Sequence, residues 1–88
     1  MPRRRWPEWW DWELEFHPHL FKRMVDRGFT EVDLRRMIQH ASGSRRDIVR
    51  GRWVVLARHR RQPWHIIVEP EFDAELLVVV TAYPVHGE

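Results

Sequence analysis

Two kinds of side chain in this sequence are suited to proton transfer and anion binding. Fourteen of its fifteen basic residues are arginine, whose planar guanidinium forms paired hydrogen bonds with phosphate. Six histidines add groups that exchange protons near neutral pH. The sequence contains no cysteine, which excludes thiol catalysis and thiolate zinc sites. These side chains can therefore perform acid–base catalysis and bind an anionic partner.

The arginines are concentrated in the middle of the chain. Seven of them lie within residues 45–61 against a single acid, Asp47, although the net charge of the whole chain is only +2. Such a segment favours an anionic partner, and a solvated hairpin kept soluble by its charge is the alternative. Within this segment Arg58, Arg60 and Arg61 are the candidate phosphate ligands.

Polar candidates also stand at the end of the last apolar segment. Thr81 and Tyr83 fall in the same alternation as Val79, so they share one face of a strand. Tyr83 can act as an acid or donate a hydrogen bond to phosphate, with Thr81 positioning it. Alternatively, its hydroxyl simply reaches solvent. His65, on a neighbouring strand, is either a second acid–base group or an ordinary half-buried residue of the sheet.

A metal site is not expected. His17 and His19 are two residues apart and could be joined by His40 or His59. Two histidines at that spacing, without thiolates or a nearby acidic motif, are a weak signal for a metal. We therefore expect neither a metal nor any other cofactor.

Hydrophobic periodicity predicts the elements that position these side chains. Residues 10–16 alternate apolar and acidic side chains, which is typical of a strand with one buried face. Pro18 begins a first helix that ends at Gly28. Thr30 begins a second helix, with Asp33 completing a capping box. Both helices carry an apolar stripe that can cover a sheet: Leu20, Phe21, Met24 and Val25 in the first, and Leu34, Met37, Ile38 and Ala41 in the second.

The second half of the chain predicts antiparallel hairpins. Strands at 53–58, 64–69 and 76–83 are separated by turns at 62–63 and 70–75, and a short extra strand is expected at 48–49. The last strand is apolar on both faces, so we expect it to be central and covered on both sides. The prediction is an α+β fold in the order β-α-α-β-β-β, with two N-terminal helices packed on an antiparallel sheet of about four strands.

Length and composition indicate one folded domain. Eighty-eight residues allow a single core, and a hydrophobic fraction of 43% with six tryptophans argues against disorder. We expect a basic, tryptophan-containing arm over residues 1–9, the domain over 10–85 and a tail over 86–88. The longest purely apolar run, residues 76–80, is too short to cross a bilayer, and no apolar segment follows the basic N-terminus. A cytoplasmic protein without membrane contact is expected.

Four short motifs resemble a known bacterial family. They are His19-x-x-x-Arg23-Met24-x-x-Arg27-Gly28-Phe29-Thr30, Gly51-Arg52-Trp53-Val54-Val55, Pro63-Trp64-His65-Ile66-Ile67-Val68 and Val79-Val80-Thr81-Ala82-Tyr83-Pro84. In this order, over roughly Phe16 to Pro84, they resemble the family of unknown function catalogued as 4258. The resemblance implies a RelE-like fold, related to barnase and colicin-type nucleases. It also implies metal-independent RNA cleavage by a toxin, with RNA, in some cases on the ribosome, and a cognate antitoxin as partners.

The same resemblance suggests roles for individual residues. It makes His19 the base or acid, although a helical wheel places this residue opposite the apolar stripe and a local capping role is the alternative. Arg23 lies one helical turn away and can address the same phosphate, or it pairs with a nearby acid. Arg27 is expected to brace the junction of helix and sheet. The catalytic set is His19, Arg23, Arg58, Thr81 and Tyr83, and the substrate-binding set is Arg27, Arg60, Arg61 and His65.

Two other functions are compatible with the sequence. The first is a non-catalytic module that binds nucleic acid or the ribosome, with the second helix presenting Arg35, Arg36, Gln39 and His40. The second is a protein-interaction component of a toxin–antitoxin-like system that uses exposed tryptophans as anchors. An assay for RNA cleavage would distinguish each of these two functions from that of a nuclease.

Overall fold

The computed structural model describes residues 6–85. A 3-10 helix at Glu8–Asp11 precedes strand β1 (Glu13–Phe16) and helices α1 (Pro18–Arg27) and α2 (Glu31–Gln39). Four further strands follow, and they are β2 (Gly43–Arg46), β3 (Trp53–His59), β4 (Gln62–Glu71) and β5 (Leu76–Pro84). Buried residues of both helices share one core with alternate residues of β3, β4 and β5, so both helices lie on the same face of the sheet. The fold is a small α+β domain, as predicted.

The sheet is mixed and has five strands in the order β1-β5-β4-β3-β2. β2, β3, β4 and β5 pair antiparallel through hairpins, as the short turns predicted. β1 instead pairs parallel with β5, which the sequence did not indicate, because the two strands are far apart in the chain and no turn constrains their direction. β1 forms one edge, where exposed Glu13 and Glu15 discourage pairing with another sheet.

Strand β5 was expected to be central and covered on both faces. It lies between β1 and β4, so it is an interior strand as expected, although β1 accompanies it only as far as Val79. It is not covered on both faces. The side chains of Val78, Val80, Thr81 and Tyr83 remain half-buried. The apolar composition of β5 therefore reflects its position beside two strands rather than complete burial.

One predicted strand and one predicted turn lie elsewhere. The extra short strand is β2, whereas Ile48 and Val49 belong to the following loop and Ile48 is 98% exposed. The β3–β4 turn is formed by Arg60 and Arg61, with φ of 53° and 67°, the positive values that a two-residue type I′ hairpin requires. Pro63 was taken as a turn residue but belongs to β4.

The helix ends agree with the sequence prediction. Pro18 stands in the first turn of α1, and Gly28 ends that helix in the left-handed conformation, with φ of 68°. Thr30 and Asp33 form a reciprocal capping box at the start of α2. These signals depend only on neighbouring residues, which is why they can be read from the sequence.

The two apolar stripes are buried to different extents. On α2, Leu34, Met37 and Ile38 are all buried, as expected. On α1 only Leu20 is fully buried, while Phe21 and Val25 are 49% and 83% exposed. Helix α1 contacts the sheet through β5, and of its stripe only Leu20 and the half-buried Met24 pack in or against the core.

The N-terminal tryptophans are part of the folded domain. Trp9 is 2% exposed within the core, and its ring centroid lies 5.6 Å from that of Trp53. Trp6 stacks on Trp10 at 4.3 Å between centroids. The folded unit therefore begins before residue 10, whereas the sequence predicted an N-terminal arm over residues 1–9. Residues 1–5 and the expected tail at 86–88 lie outside the described residues.

No helix within residues 6–85 has the length and apolar character needed to span a membrane.

The capping box should contribute measurably to stability. Thr30→Ala removes the hydroxyl that accepts the Asp33 N–H, and it should lower the free energy of unfolding by about 1 kcal/mol in urea titrations. Thr30→Ser keeps that acceptor and serves as the control. Equal losses in the two variants would contradict the assignment.

Acid should remove the other half of the capping box. The hydrogen bond from the Thr30 N–H holds the pKa of Asp33 below its ordinary value of 3.8. Because the folded state favours the carboxylate, this contribution is fully present above pH 3.8 and is lost as the pH falls through the lower folded pKa. Asp33→Asn should therefore reduce the dependence of stability on pH below that value. An unchanged acid limb of the stability profile would contradict this.

Burial of Trp9 predicts that the N-terminal segment is required for folding. Trp9→Ala should lower the free energy of unfolding by about 3 kcal/mol or more. Val25→Ala, at a side chain that is 83% exposed, is the control and should change it by no more than about 0.5 kcal/mol. Similar denaturation midpoints for the two variants would show that Trp9 is not a core residue.

Candidate functional site

One extra residue in β5 determines which way its polar end faces. Val68 of β4 pairs with Val79 and the adjacent Ile67 pairs with Thr81, so Val80 has no partner position of its own. A bulge of this kind shifts the alternation of side chains by one. Val79 faces the helices, whereas Thr81 faces the opposite side of the sheet. The prediction that Thr81 and Tyr83 lie on the same face of the strand as Val79 is therefore wrong.

The helix-free face of the sheet collects four of the residues selected from the sequence. His65 on β4 pairs directly with Tyr83 on β5, and their ring centroids are 5.7 Å apart. Thr81 precedes Tyr83 by two residues and is on the same face. Arg58 on β3 pairs with Pro63, which precedes His65 by two residues, so it also shares this face. We name Arg58, His65, Thr81 and Tyr83 the sheet-face cluster.

A cleft of about 570 Å³ opens beside this cluster, at the edge of β3. β2 pairs with β3 only as far as Leu56, which leaves the edge of β3 open from residue 57 onward. The chain from α2 to β2 passes alongside, with the Ser42 N–H donating to the carbonyl of Leu56 at 2.9 Å. We call this space the hairpin cleft; its walls are residues 40, 42, 56–58 and 63–65. Two members of the sheet-face cluster, Arg58 and His65, line it.

The guanidinium of Arg58 is held in place by the hairpin turn. Its Nη2 donates to the carbonyl oxygen of Arg61 at 2.7 Å. This bond uses one N–H and leaves the other donors of the guanidinium for a ligand. Arg60 and Arg61 form the turn itself and are both exposed. The turn end of the hairpin is therefore strongly cationic.

His40 is a wall residue of the hairpin cleft that the sequence did not place there. It is the C-cap residue of α2, and its imidazole lines the same space as Arg58 and His65. In the sequence it appeared only as a weak metal candidate and on the exposed face of the second helix. Its approach to β3 depends on how α2 packs against the sheet, so no local signal indicates it.

The residues selected on the first helix lie in another part of the molecule. His19 is exposed in the first turn of α1, its N–H donates to Nδ1 of His17 at 3.2 Å, and the two rings stack at 5.0 Å. Arg23 is exposed one turn further along. Both belong to α1, which packs on the face of the sheet that carries the helices. Tyr83 lies on the opposite face, so the fold does not bring His19 and Arg23 together with it. The sequence left a local capping role open for His19. In the structure the capping residue of α1 is the nearby His17, whose side chain accepts the N–H of His19.

Arg27 braces the helix–sheet junction, as expected. Its Nη1 donates to the carbonyl oxygen of Ala82 at 2.8 Å, beyond the point where β1 accompanies β5. This bond ties the end of α1 to the polar end of β5. In this position Arg27 supports Tyr83 and Thr81 through the backbone of their strand.

Among residues 6–85, no group of three or more histidine, aspartate or glutamate side chains is arranged to hold a metal ion.

Fold and surface together define a small α+β domain, with two helices on one face of a mixed sheet and a His–Tyr–Arg cluster on the other. Residues 16–84 match the family described as Domain of unknown function (DUF4258). The chain belongs to that family. No curated protein and no solved structure matches the sequence.

The bond from Arg27 to Ala82 predicts a structural effect of substituting this arginine. Arg27→Ala should lower the free energy of unfolding by about 1–2 kcal/mol, because a charged donor to a half-buried carbonyl is lost. Arg23→Ala, on the exposed side of the same helix, should change it by no more than about 0.5 kcal/mol. Equal unfolding midpoints for the two variants would contradict a bracing role.

Proposed function

We propose that this domain cleaves RNA without a metal and that the reaction takes place at the sheet-face cluster. The observation that supports this best is the direct pairing of His65 with Tyr83, with Arg58 in the cleft beside them. A proton acceptor, a proton donor and a fixed cation are then available to one phosphate. These are the three groups that metal-free phosphodiester cleavage requires.

The chemistry follows from the roles of these groups. His65, as the neutral imidazole, takes the proton from a ribose 2′-hydroxyl, and the 2′-oxygen forms a bond to the adjacent phosphorus. The bond from phosphorus to the 5′-oxygen breaks, and the phenol of Tyr83 gives its proton to that oxygen. Arg58 stabilises the negative charge that develops on the phosphoryl oxygens. The products are a 2′,3′-cyclic phosphate and a free 5′-hydroxyl.

A broader role follows from the family resemblance. We propose a toxin of a toxin–antitoxin system, with a fold related to the RelE-like nucleases, an RNA target in the cytoplasm and a cognate antitoxin as its protein partner. The motifs shared with the family over residues 16–84 and the basic hairpin support this role. Thr81 would position the reacting phosphate, and exposed Arg60 and Arg61 would attract the RNA.

Cleavage of a labelled single-stranded RNA in the presence of EDTA tests the proposal. The wild-type protein should produce fragments with a cyclic phosphate end. His65→Ala should reduce the rate constant by about 10²–10⁴-fold, and Tyr83→Phe should also reduce it, because each removes one proton-transfer group. Thermal unfolding of every variant is the control for folding.

His19→Ala decides between the two placements of the active site. If the sheet-face cluster carries the chemistry, this variant should retain cleavage while His65→Ala loses it. The opposite result would assign the reaction to the start of α1. Intact RNA after incubation with folded wild-type protein would contradict cleavage altogether and would leave RNA binding as the function to test.

A further inference from the structure

A second cleft lies on the other side of the open β3 edge. It has a volume of about 370 Å³ and lies between α2 and the β3–β4 turn. Arg36 and His40 of α2 line it together with Arg58, His59 and Arg60 of the hairpin. We call it the helix-side cleft. It shares His40 and Arg58 with the hairpin cleft, so the two spaces adjoin at these side chains.

The charge of the helix-side cleft is one-sided. Three arginines and two histidines face a single acid, Asp33. That carboxylate already accepts the N–H of Thr30 at 2.9 Å, where it completes the capping box. The charge of Asp33 acts on His59 and Arg60, but one carboxylate cannot balance three arginines. The space therefore keeps a net positive charge and favours an anion.

Two buried polar atoms of residues that line the clefts have no hydrogen-bond partner. Among residues 6–85, the buried side-chain polar atoms without a partner are Nε2 of His59 and Nε1 of Trp64. The two rings contact each other edge to face at 5.5 Å. Trp64 is 5% exposed and lines the hairpin cleft, while His59 lines the helix-side cleft. A buried indole N–H normally donates to an acceptor, so this N–H is an unsatisfied donor that a ligand oxygen can satisfy.

We propose that the two clefts form one groove around the open edge of β3 and that it binds single-stranded RNA. This inference rests on the proposed function and extends it. The reacting phosphate lies in the hairpin cleft at Arg58. An adjacent phosphate lies in the helix-side cleft between Arg36 and Arg60. The N–H of Trp64 donates to an oxygen of the RNA between them.

The shape of the groove explains why the strand must be single. Each cleft has the volume of a site for one small ligand, about the size of a nucleotide. A strand that passes from one face of the sheet to the other around an edge must also bend sharply. Duplex RNA is recognised across its wide, shallow minor groove, and a duplex cannot follow such a path around a strand edge.

Binding of a non-cleavable RNA tests the groove independently of catalysis. The probe is a fluorescent single-stranded oligonucleotide with 2′-O-methyl groups, which lacks the attacking hydroxyl, compared with the same sequence in a duplex. Fluorescence anisotropy should show at least tenfold tighter binding of the single strand. The variant Arg36→Ala with Arg60→Asn should weaken single-strand binding at least tenfold. Asparagine is chosen because residue 60 has positive φ, which asparagine tolerates.

The matched control removes the same charge elsewhere. Arg45→Ala with Arg50→Ala takes two exposed arginines from outside both clefts and should change the affinity by no more than about twofold. The cleft variant should also reduce the slope of log Kd against log salt by about 1.4, the value for two phosphate contacts on a single strand. Trp64→Phe keeps an aromatic ring but removes the N–H, and it should weaken binding about fivefold in folded protein.

Distinct outcomes separate this inference from the proposed function. Equal losses in the cleft variant and its control, no loss in either, or tighter binding of the duplex would each overturn the groove. If the protein still cleaves unmodified RNA when one of those results is obtained, the proposed function stands. Selective binding in the groove without any cleavage would support the groove and overturn the nuclease.

Discussion

Strand β5 carries one residue more than the stretch of β4 with which it pairs, and the direction of its polar end depends on that residue. Before the bulge at Val80, Leu77 and Val79 are fully buried against the helices. After it, Ala82 continues the buried face, while Thr81 and Tyr83 turn to the other side of the sheet. Without the bulge, strict alternation would direct Tyr83 toward the helices and away from His65. A core strand and a polar cluster therefore coexist in one segment.

A second constraint is the difference in length between neighbouring strands. β2 pairs with four residues of β3, and β1 pairs with four residues of β5, so both longer strands have edges that no strand covers at the same end of the sheet. On β5 the open edge is used internally, because Arg27 donates to the carbonyl of Ala82. On β3 it is bordered by α2 and by the basic turn, which creates the two adjoining clefts. Because Arg27 already occupies the open edge of β5, the candidate ligand groove lies at the open edge of β3.

Local signals in the sequence predicted the elements better than their arrangement. The ends of α1 and α2 follow from Pro18, Gly28 and the capping box, all of which act within a few residues. The hairpin turn was misplaced because Pro63 is a typical turn residue, whereas two arginines with positive φ are an uncommon turn. The parallel pairing of β1 with β5 involves residues about sixty positions apart, which no local pattern encodes.

The same distinction applies to the candidate site. Arg58, His65, Thr81 and Tyr83 could be selected from residue type, but their common face depends on strand register and on the bulge. The place of His40 and Trp64 in the hairpin cleft was not predicted, because it depends on packing between α2 and the hairpin. His19 was selected from a family motif, and its contacts in the fold are with His17. Residue chemistry suggested candidates, and only the register decided which of them meet.

The arrangement also separates stability from chemistry. The core lies between the helices and one face of the sheet, and it includes Trp9, Trp64 and the buried residues of both helices. The sheet-face cluster lies on the other face, and its four side chains are half-buried or exposed. Substitutions there remove little apolar area from the core and should act mainly on ligand contacts. Trp64 is the exception, because its ring packs in the core and the residue also lines the hairpin cleft. In the proposed groove, Trp64 would couple folding to ligand binding most directly.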